Sequence, residues 1–356
     1  MRGPLLDGPI SGPMVWPGEE LARSTDWIRP LSAAALAEID AALRSVQARG
    51  LHWRDVRKAD FPLPGGAVEL ARVGRDLEWG RGLVLLRGLP VARYSEDELR
   101  TIWWGLGCHL GTAVYQNAHG ELIGEVRDEV RLYGEVAPPA VPKSEGVTSR
   151  AKARSSGPLR WHTDRCDVVG LLCVRAARRG GTSRVVSVPA VSNAIRARRP
   201  DLHALLCADY HRSRQGEEAG GEGSCYALPI FAMRDGKFTT QYSRTFVEAA
   251  QKIAGVPRLT PAQDEALDLL AGVCDELGHE MVLEPGDIQL LNNHVVYHGR
   301  TAYEDTPEAG HDRLLLRLWL APPDSRTLPE GFEVLWGTTR GGAVRGGIAQ
   351  PASARA

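Results

Sequence analysis

The amino-acid sequence predicts a mainly β fold with flanking helices, its strands mostly antiparallel and wrapped into a barrel or sandwich. Three features predict it. Residues 159–320 are dominated by short apolar or alternating runs: VVGLLCV, TSRVVSV, KFTTQYSR, MVLEPGDIQLLNNHVVYHGR and RLLLRLWLAPP. One helical pattern, near 261–277, interrupts them. The remaining helical patterns gather before residue 110, as an outer layer should. At 356 residues the chain can bury a sizeable core without staples, and it reads as a single domain over 1–356.

Residues 1–20, MRGPLLDGPISGPMVWPGEE, carry prolines, glycines and acids where a signal peptide needs an unbroken apolar stretch. No run of 18 apolar residues occurs anywhere, so the expectation is a soluble, cytoplasmic protein without a membrane partner. PLSAAALAEIDAALRSVQARG has apolar residues at helical spacing behind Ser32, an N-cap, and predicts a helix over 32–48. A second helix is expected over 66–78, and a third after Ser95, where SEDE supplies a capping box. RGLVLLRGLPV between them is a short buried strand, so residues 1–110 form a helical layer around one strand.

GTAVYQNAHGELIGEVRDEV is strand-rich, and residues 136–158 (VAPPAVPKSEGVTSRAKARSSGP) have too much Pro, Ser, Gly and basic character to pack a core. They predict a mobile lid loop leading into the core of 159–320; EEAGGEGS at 217–224 is another loop. Residues 340–356 read as a glycine-rich tail whose two RGG triplets are too weak a signal for RNA. A formal charge of −1 offers no footprint for nucleic acid, which leaves a small molecule as the expected partner. Six cysteines without a C-x-x-C pair argue against structural zinc and a disulfide framework; Cys166 is expected to pack.

The chemistry lies in LRWHTDR, residues 159–165. On a strand, positions i and i+2 share a side about 6.6 Å apart, so His162 and Asp164 could converge on one ion. A third ligand must come from a distant strand. In NNHVVYHGR, His294 and His298 would lie about 13 Å apart along a strand, so only one can join. His298 is the candidate because it sits at the strand end beside Gly299; His294 reads as a hydrogen-bonded core histidine. Two histidines and a carboxylate leave three open positions on an octahedral ion, the arrangement of non-haem Fe(II) oxygenases. A 2-oxo acid could fill two of them, its far carboxylate held by a basic residue. Arg313 and Arg317 in RLLLRLWL lie on one strand face and offer the planar fork such a carboxylate needs; a structural ion pair is the competing reading.

Taken together, RGLVLLRGLPV, GT-x-x-YQN-x-x-G, WHTD, RRGGTS, GD-x-Q-x-x-NNH-x-x-x-HGRTAYED and RLLLRLWL resemble the TauD/TfdA group of Fe(II)/2-oxoglutarate-dependent oxygenases over residues 80–350. The resemblance implies a double-stranded β-helix, or jelly roll, with helices outside. It implies His162, Asp164 and His298 as iron ligands, Arg313 on the distal carboxylate of 2-oxoglutarate, and O₂ as co-reactant. A family threonine that also touches this carboxylate is replaced by GGTS, which offers Ser183 with Thr182 beside it. Arg317 binds an acidic substrate group in some members and is structural in others. Tyr115, Gln116, Asn117, Arg165, Tyr242 and Arg244 would surround the substrate. The closing LPEGFEVLWGTTRGGAVRGGI is similar to a subset acting on amino acids or amino-acid-like intermediates in natural-product biosynthesis.

The expected activity is oxidation of an unactivated C–H with release of succinate and CO2. Hydroxylation is the default, with desaturation, epoxidation or cyclisation as alternatives. A non-catalytic jelly-roll binding protein would lack a ligand or the arginine, and neither is missing; a zinc hydrolase would need a general base that no H-E-x-x-H supplies. Oligomeric state is left open, a homo-oligomer included.

Overall fold

Fifteen of the seventeen strands among the described residues lie from residue 112 onward, and pairing among distant ones builds the site. In chain order they begin with β1 (Ile28–Pro30), β2 (Leu83–Arg87), β3 (Thr112–Ala113), β4 (Ile123–Val126), β5 (Leu159–His162), β6 (Val168–Arg175), β7 (Arg179–Gly180) and β8 (Ser183–Ser187). They continue with β9 (Asp209–Ser213), β10 (Cys225–Pro229), β11 (Phe231–Arg234), β12 (Lys237–Thr240), β13 (His279–Met281), β14 (Ile288–Asn292), β15 (Val296–Arg300), β16 (Tyr303–Glu304) and β17 (Leu314–Ala321). This computed structural model describes residues 8–129, 154–218, 222–306, 310 and 312–348.

The larger sheet runs β1-β2-β14-β6-β17-β3, with β4 also paired to β17; the smaller runs β13-β8-β15-β5. Among the described strands only β1 and β2 pair in parallel. This is the sheet-rich fold with helices that the hydrophobic pattern predicts.

Alternation along β17 shows how the larger sheet is used, because successive side chains point to opposite faces. Leu314, Leu316, Leu318 and Leu320 enter one apolar cluster with helices α2 (Ala33–Ala48), α3 (Gly66–Trp79) and α4 (Glu96–Leu110). Leu315 and Trp319 enter a second cluster on the opposite face, and Arg313 and Arg317 share that face. Close approach of α4 needs glycine: a Cβ on Gly170 of β6 would lie 2.7 Å from the Trp103 ring.

The helices begin where their caps predict. Ser32 Oγ accepts from the Ala35 N–H at 3.1 Å, and Ser95 and Glu98 close a capping box. The expected insert is Pro261–Leu277, capped by Thr260.

Four expectations are corrected. The pattern near 261–277 is not the one helical interruption of the strand block: after Ser187 the chain forms helices Val188–Arg198 and Pro200–Leu206, with Ser187 as N-cap and Pro189 in the first turn. KFTTQYSR is strand only over Lys237–Thr240, it does not alternate, and a helix, Arg244–Ala250, starts at its last residue. Residues 340–348 are not a loose tail. Gly342, Gly346 and Gly347 take positive φ (+69°, +73°, +66°), so each RGG triplet is a turn that brings the buried Arg345 back to the core. Finally, β5 stops at His162, so Asp164 lies beyond the strand. Of the expected lid at 136–158, residues 136–153 lie outside the described residues.

Candidate metal centre

β5 and β15 are antiparallel neighbours, and their register sets His298 directly opposite His162. The two imidazoles stand 4.2 Å apart between ring centroids. After His162 the chain turns: the Thr163 N–H donates to the Tyr242 carbonyl at 2.9 Å and the Asp164 N–H to Asn293 Oδ1 at 3.1 Å. The turn delivers the Asp164 carboxylate to the same point the strand geometry was expected to reach. Ligand atoms of His162, Asp164 and His298 all lie within 4.8 Å of one another, the one such group among the described residues.

The protonation states suit a cation. His162 Nδ1 lies 2.8 Å from the Arg160 carbonyl and must carry the proton in that bond, which leaves the Nε2 lone pair free. Burial, with His298 adding to it, brings the His162 imidazole down to about 4, so it is neutral near pH 7. Burial pushes the Asp164 carboxyl up, but Arg317, whose Nη1 is 3.6 Å from Oδ1, and the two imidazoles hold it below the ordinary range. Asp164 Oδ2 and His298 Nδ1 are buried with no hydrogen-bond partner among the described residues. A buried carboxylate oxygen without a partner is costly, and a bound cation removes that cost. The N, N, O donor set fits iron.

The three side chains open onto a cavity of about 200 Å³. At roughly 10–15 Å³ per water-sized occupant, it has room for a keto acid and a second small molecule.

Arg313, just before β17, is 5% exposed and lines this cavity. Its guanidinium lies 5.0 Å from the Tyr303 ring centre, and its Nη1 has no hydrogen-bond partner among the described residues. Ser183 also lines the cavity, whereas Thr182 does not; the Thr182 N–H donates to Thr301 Oγ1 at 3.0 Å. Ser183 Oγ lies within hydrogen-bond distance of the Gln289 amide.

Arg317 faces the cavity over Trp319 and is held on its far side: Nε donates to Gln116 Oε1 at 2.7 Å. Gln116 Nε2 donates to the carbonyls of Leu122 and Arg317, both at 2.8 Å. Gln116 therefore lines the cavity but serves to fix Arg317. Asn117 also lines it, while its Oδ1 accepts from the His119 N–H in a tight turn. Arg165 lines it too, with Nε donating to the Leu335 carbonyl at 2.8 Å.

Arg244 reaches the cavity wall with its charge already met by Glu248, Asp264 and Asp268. Tyr242 and Tyr115 are not in the wall. Tyr242 is 2% exposed and packs on Tyr297, because the chain turns into a helix two residues later; Tyr115 is 39% exposed.

His294 is a core histidine: Nε2 lies 2.7 Å from Asp167 Oδ1 and Nδ1 3.0 Å from Thr239 Oγ1. Cys166 is fully buried, and burial pushes its thiol well up. Sequence reasoning missed Asn293, which holds the Asp164 turn, and Arg345, which pairs with Asp167 at 2.6 Å. It also missed Arg300, a buried charge two residues after His298 on β15.

A family profile described as "Taurine catabolism dioxygenase TauD, TfdA family" matches residues 27–319. FR-33289 synthase of Streptomyces rubellomurinus is 31% identical over 343 residues, covering 94% of this chain and 96% of that protein. Among solved structures, asparagine oxygenase in complex with Fe(II), 2S,3S-3-hydroxyasparagine and succinate has a TM-score of 0.58 at 20% identity, over 83% of this chain and 93% of that one. The non-heme iron oxygenase OrfP in complex with Fe and alpha-ketoglutaric acid has a TM-score of 0.57 at 17% identity, over 82% and 93%. At those identities the two structures show a shared fold. With the profile spanning most of the sequence and a relative at 31% identity matched almost end to end, the chain belongs to the taurine catabolism dioxygenase TauD/TfdA family.

Proposed function

We propose that this protein is an Fe(II)- and 2-oxoglutarate-dependent dioxygenase with a double-stranded β-helix core, which oxidises an unactivated C–H of a small, carboxylate-bearing, amino-acid-like substrate. The observation that carries the proposal is the meeting of His162, Asp164 and His298 in one cavity with the buried guanidinium of Arg313, whose Nη1 has no hydrogen-bond partner among the described residues. When bound, the metal and keto acid together supply the oxidising power from O₂, with release of CO2 and succinate.

The chain's own residues prepare that chemistry. The Arg160 carbonyl orients His162 so that Nε2 faces the metal position, and the Asn293 amide sets the turn that aims Asp164. Arg317 keeps Asp164 ionised and Gln116 keeps Arg317 in place. Arg313 takes the far carboxylate of the keto acid, with Ser183 as a hydroxyl that lines the same cavity. The substrate occupies the remainder, between Asn117 and Arg165, and holding its C–H toward the metal position decides the outcome. Hydroxylation is the outcome expected by default; desaturation, epoxidation or ring closure requires the same residues to hold the substrate differently.

The substrate class is supported by the similar asparagine oxygenase, whose structure contains hydroxyasparagine and succinate. A binding protein without turnover is disfavoured, since every ligand and the cosubstrate arginine are in place. No helix among the described residues is long and apolar enough to cross a membrane.

The test is succinate release with Fe(II), 2-oxoglutarate and O₂, screened against free amino acids and small acids with product mass recorded. A substrate-dependent rise in succinate with a gain of about 16 mass units supports hydroxylation, and a loss of about two supports desaturation or cyclisation. Absence of 2-oxoglutarate turnover in the folded, iron-loaded protein across the screen would count against the proposal.

A further inference from the structure

We infer that Arg300 joins Arg313 in a two-guanidinium socket for the distal carboxylate of the keto acid, so that both side chains select a dicarboxylate cosubstrate. This rests on the functional reading above and deepens it.

Arg300 is two residues after His298 on β15, so the two side chains leave the strand on the same face, toward the cavity. Its register partner is Ser183, the hydroxyl already placed at the cosubstrate end. It is 4% exposed, yet only one of its three nitrogens is used: Nη2 donates to the carbonyls of Ser155 at 2.7 Å and Gly157 at 2.5 Å. Nε and Nη1 are buried without a partner among the described residues, as is Nη1 of Arg313. Both guanidiniums rest against one ring, at 4.6 Å and 5.0 Å from the centre of Tyr303.

Two buried cations against one ring repel each other, and each keeps idle donors that water no longer satisfies. An anion between them relieves both costs. A carboxylate accepts about four hydrogen bonds, enough for both guanidiniums at once. The competing role for Arg300 is purely structural, as a clamp on residues 155–157, and the test separates the two.

Anaerobic Fe(II)-loaded protein is titrated with 2-oxoglutarate and with 2-oxopentanoate, which has the same carbon chain without the distal carboxylate. Binding is read from the visible charge-transfer band and from thermal stabilisation. Arg300→Leu is expected to raise the Kd for 2-oxoglutarate roughly ten- to hundredfold, and to leave that for 2-oxopentanoate within about twofold. Equal weakening for both acids, or for neither, assigns Arg300 to the clamp and overturns the inference. If the leucine variant does not fold, Arg300→Lys decides by the same ratio between the two acids. A wild-type protein that binds neither acid would sink the oxygenase reading, and the inference with it.

Discussion

Replacing Gln116 by leucine should weaken metal binding although Gln116 touches no metal ligand. Gln116 Oε1 accepts from Arg317 Nε at 2.7 Å, and Arg317 Nη1 sits 3.6 Å from the Asp164 carboxylate. Leucine keeps the bulk of the side chain and removes the acceptor. The Arg317 side chain is 18% exposed, and a partly buried guanidinium N–H left unsatisfied costs roughly 1–3 kcal/mol, which is about five- to 150-fold in an equilibrium constant. Loss of a partner behind a metal ligand independently suggests about 10–100-fold in affinity. Where the two ranges overlap, Gln116→Leu should raise the Kd for Fe(II) by about ten- to hundredfold. Anaerobic Fe(II) titration in excess 2-oxoglutarate reads this directly, with Tm as a control for folding. Unchanged Fe(II) affinity with a raised substrate KM would refute the reasoning and return Gln116 to a direct substrate contact.

Arg313→Met removes the guanidinium proposed for the keto acid; it should raise the 2-oxoglutarate Kd by roughly a hundredfold in equilibrium dialysis while Fe(II) binding without keto acid is unchanged. Arg345→Met strands the Asp167 carboxylate beside His294, and breaking such a buried pair costs about 3–5 kcal/mol, a Tm loss of roughly 4–7 °C by calorimetry. A Tm within a degree of wild type would mean that the C-terminal turns do not support the core. His203, buried against Ser192, is held down to about 4 by burial, with Arg196 adding, whereas an unfolded histidine titrates near 6.5. As pH falls the unfolded chain therefore takes up this proton first, so the contribution is complete above about pH 6.5 and lost toward pH 4. After discounting for partial screening it is worth about 1–2 kcal/mol, and His203→Gln should flatten the fall of Tm over that window.

Local signals made the helical layer legible: Ser32, Ser95 and Thr260 cap helices whose apolar spacing agrees with them. The same kind of signal at Ser187, followed by Pro189, is masked by the β-branched run before it, so the two helices after it were not anticipated. Of the metal site, the residue types and their spacing were legible, but not the means of bringing them together. His162 and His298 meet through strand register, and Asp164 is aimed by Asn293 from a segment 129 residues away. The Arg345 to Asp167 pair spans 178 residues, a separation for which periodicity carries no signal, so a glycine-rich stretch was read as a tail. Gln116 was assigned to substrate by the family resemblance; its partner, Arg317, is 201 residues on.

The central claim is that His162, Asp164 and His298 hold one ferrous ion. Anomalous diffraction at the iron edge from anaerobic crystals soaked with Fe(II) and 2-oxoglutarate tests it most directly. The account predicts a single strong peak within about 2.3 Å of all three side chains, with the keto acid reaching toward Arg313. A folded protein with no peak there, or with iron bound elsewhere, contradicts it.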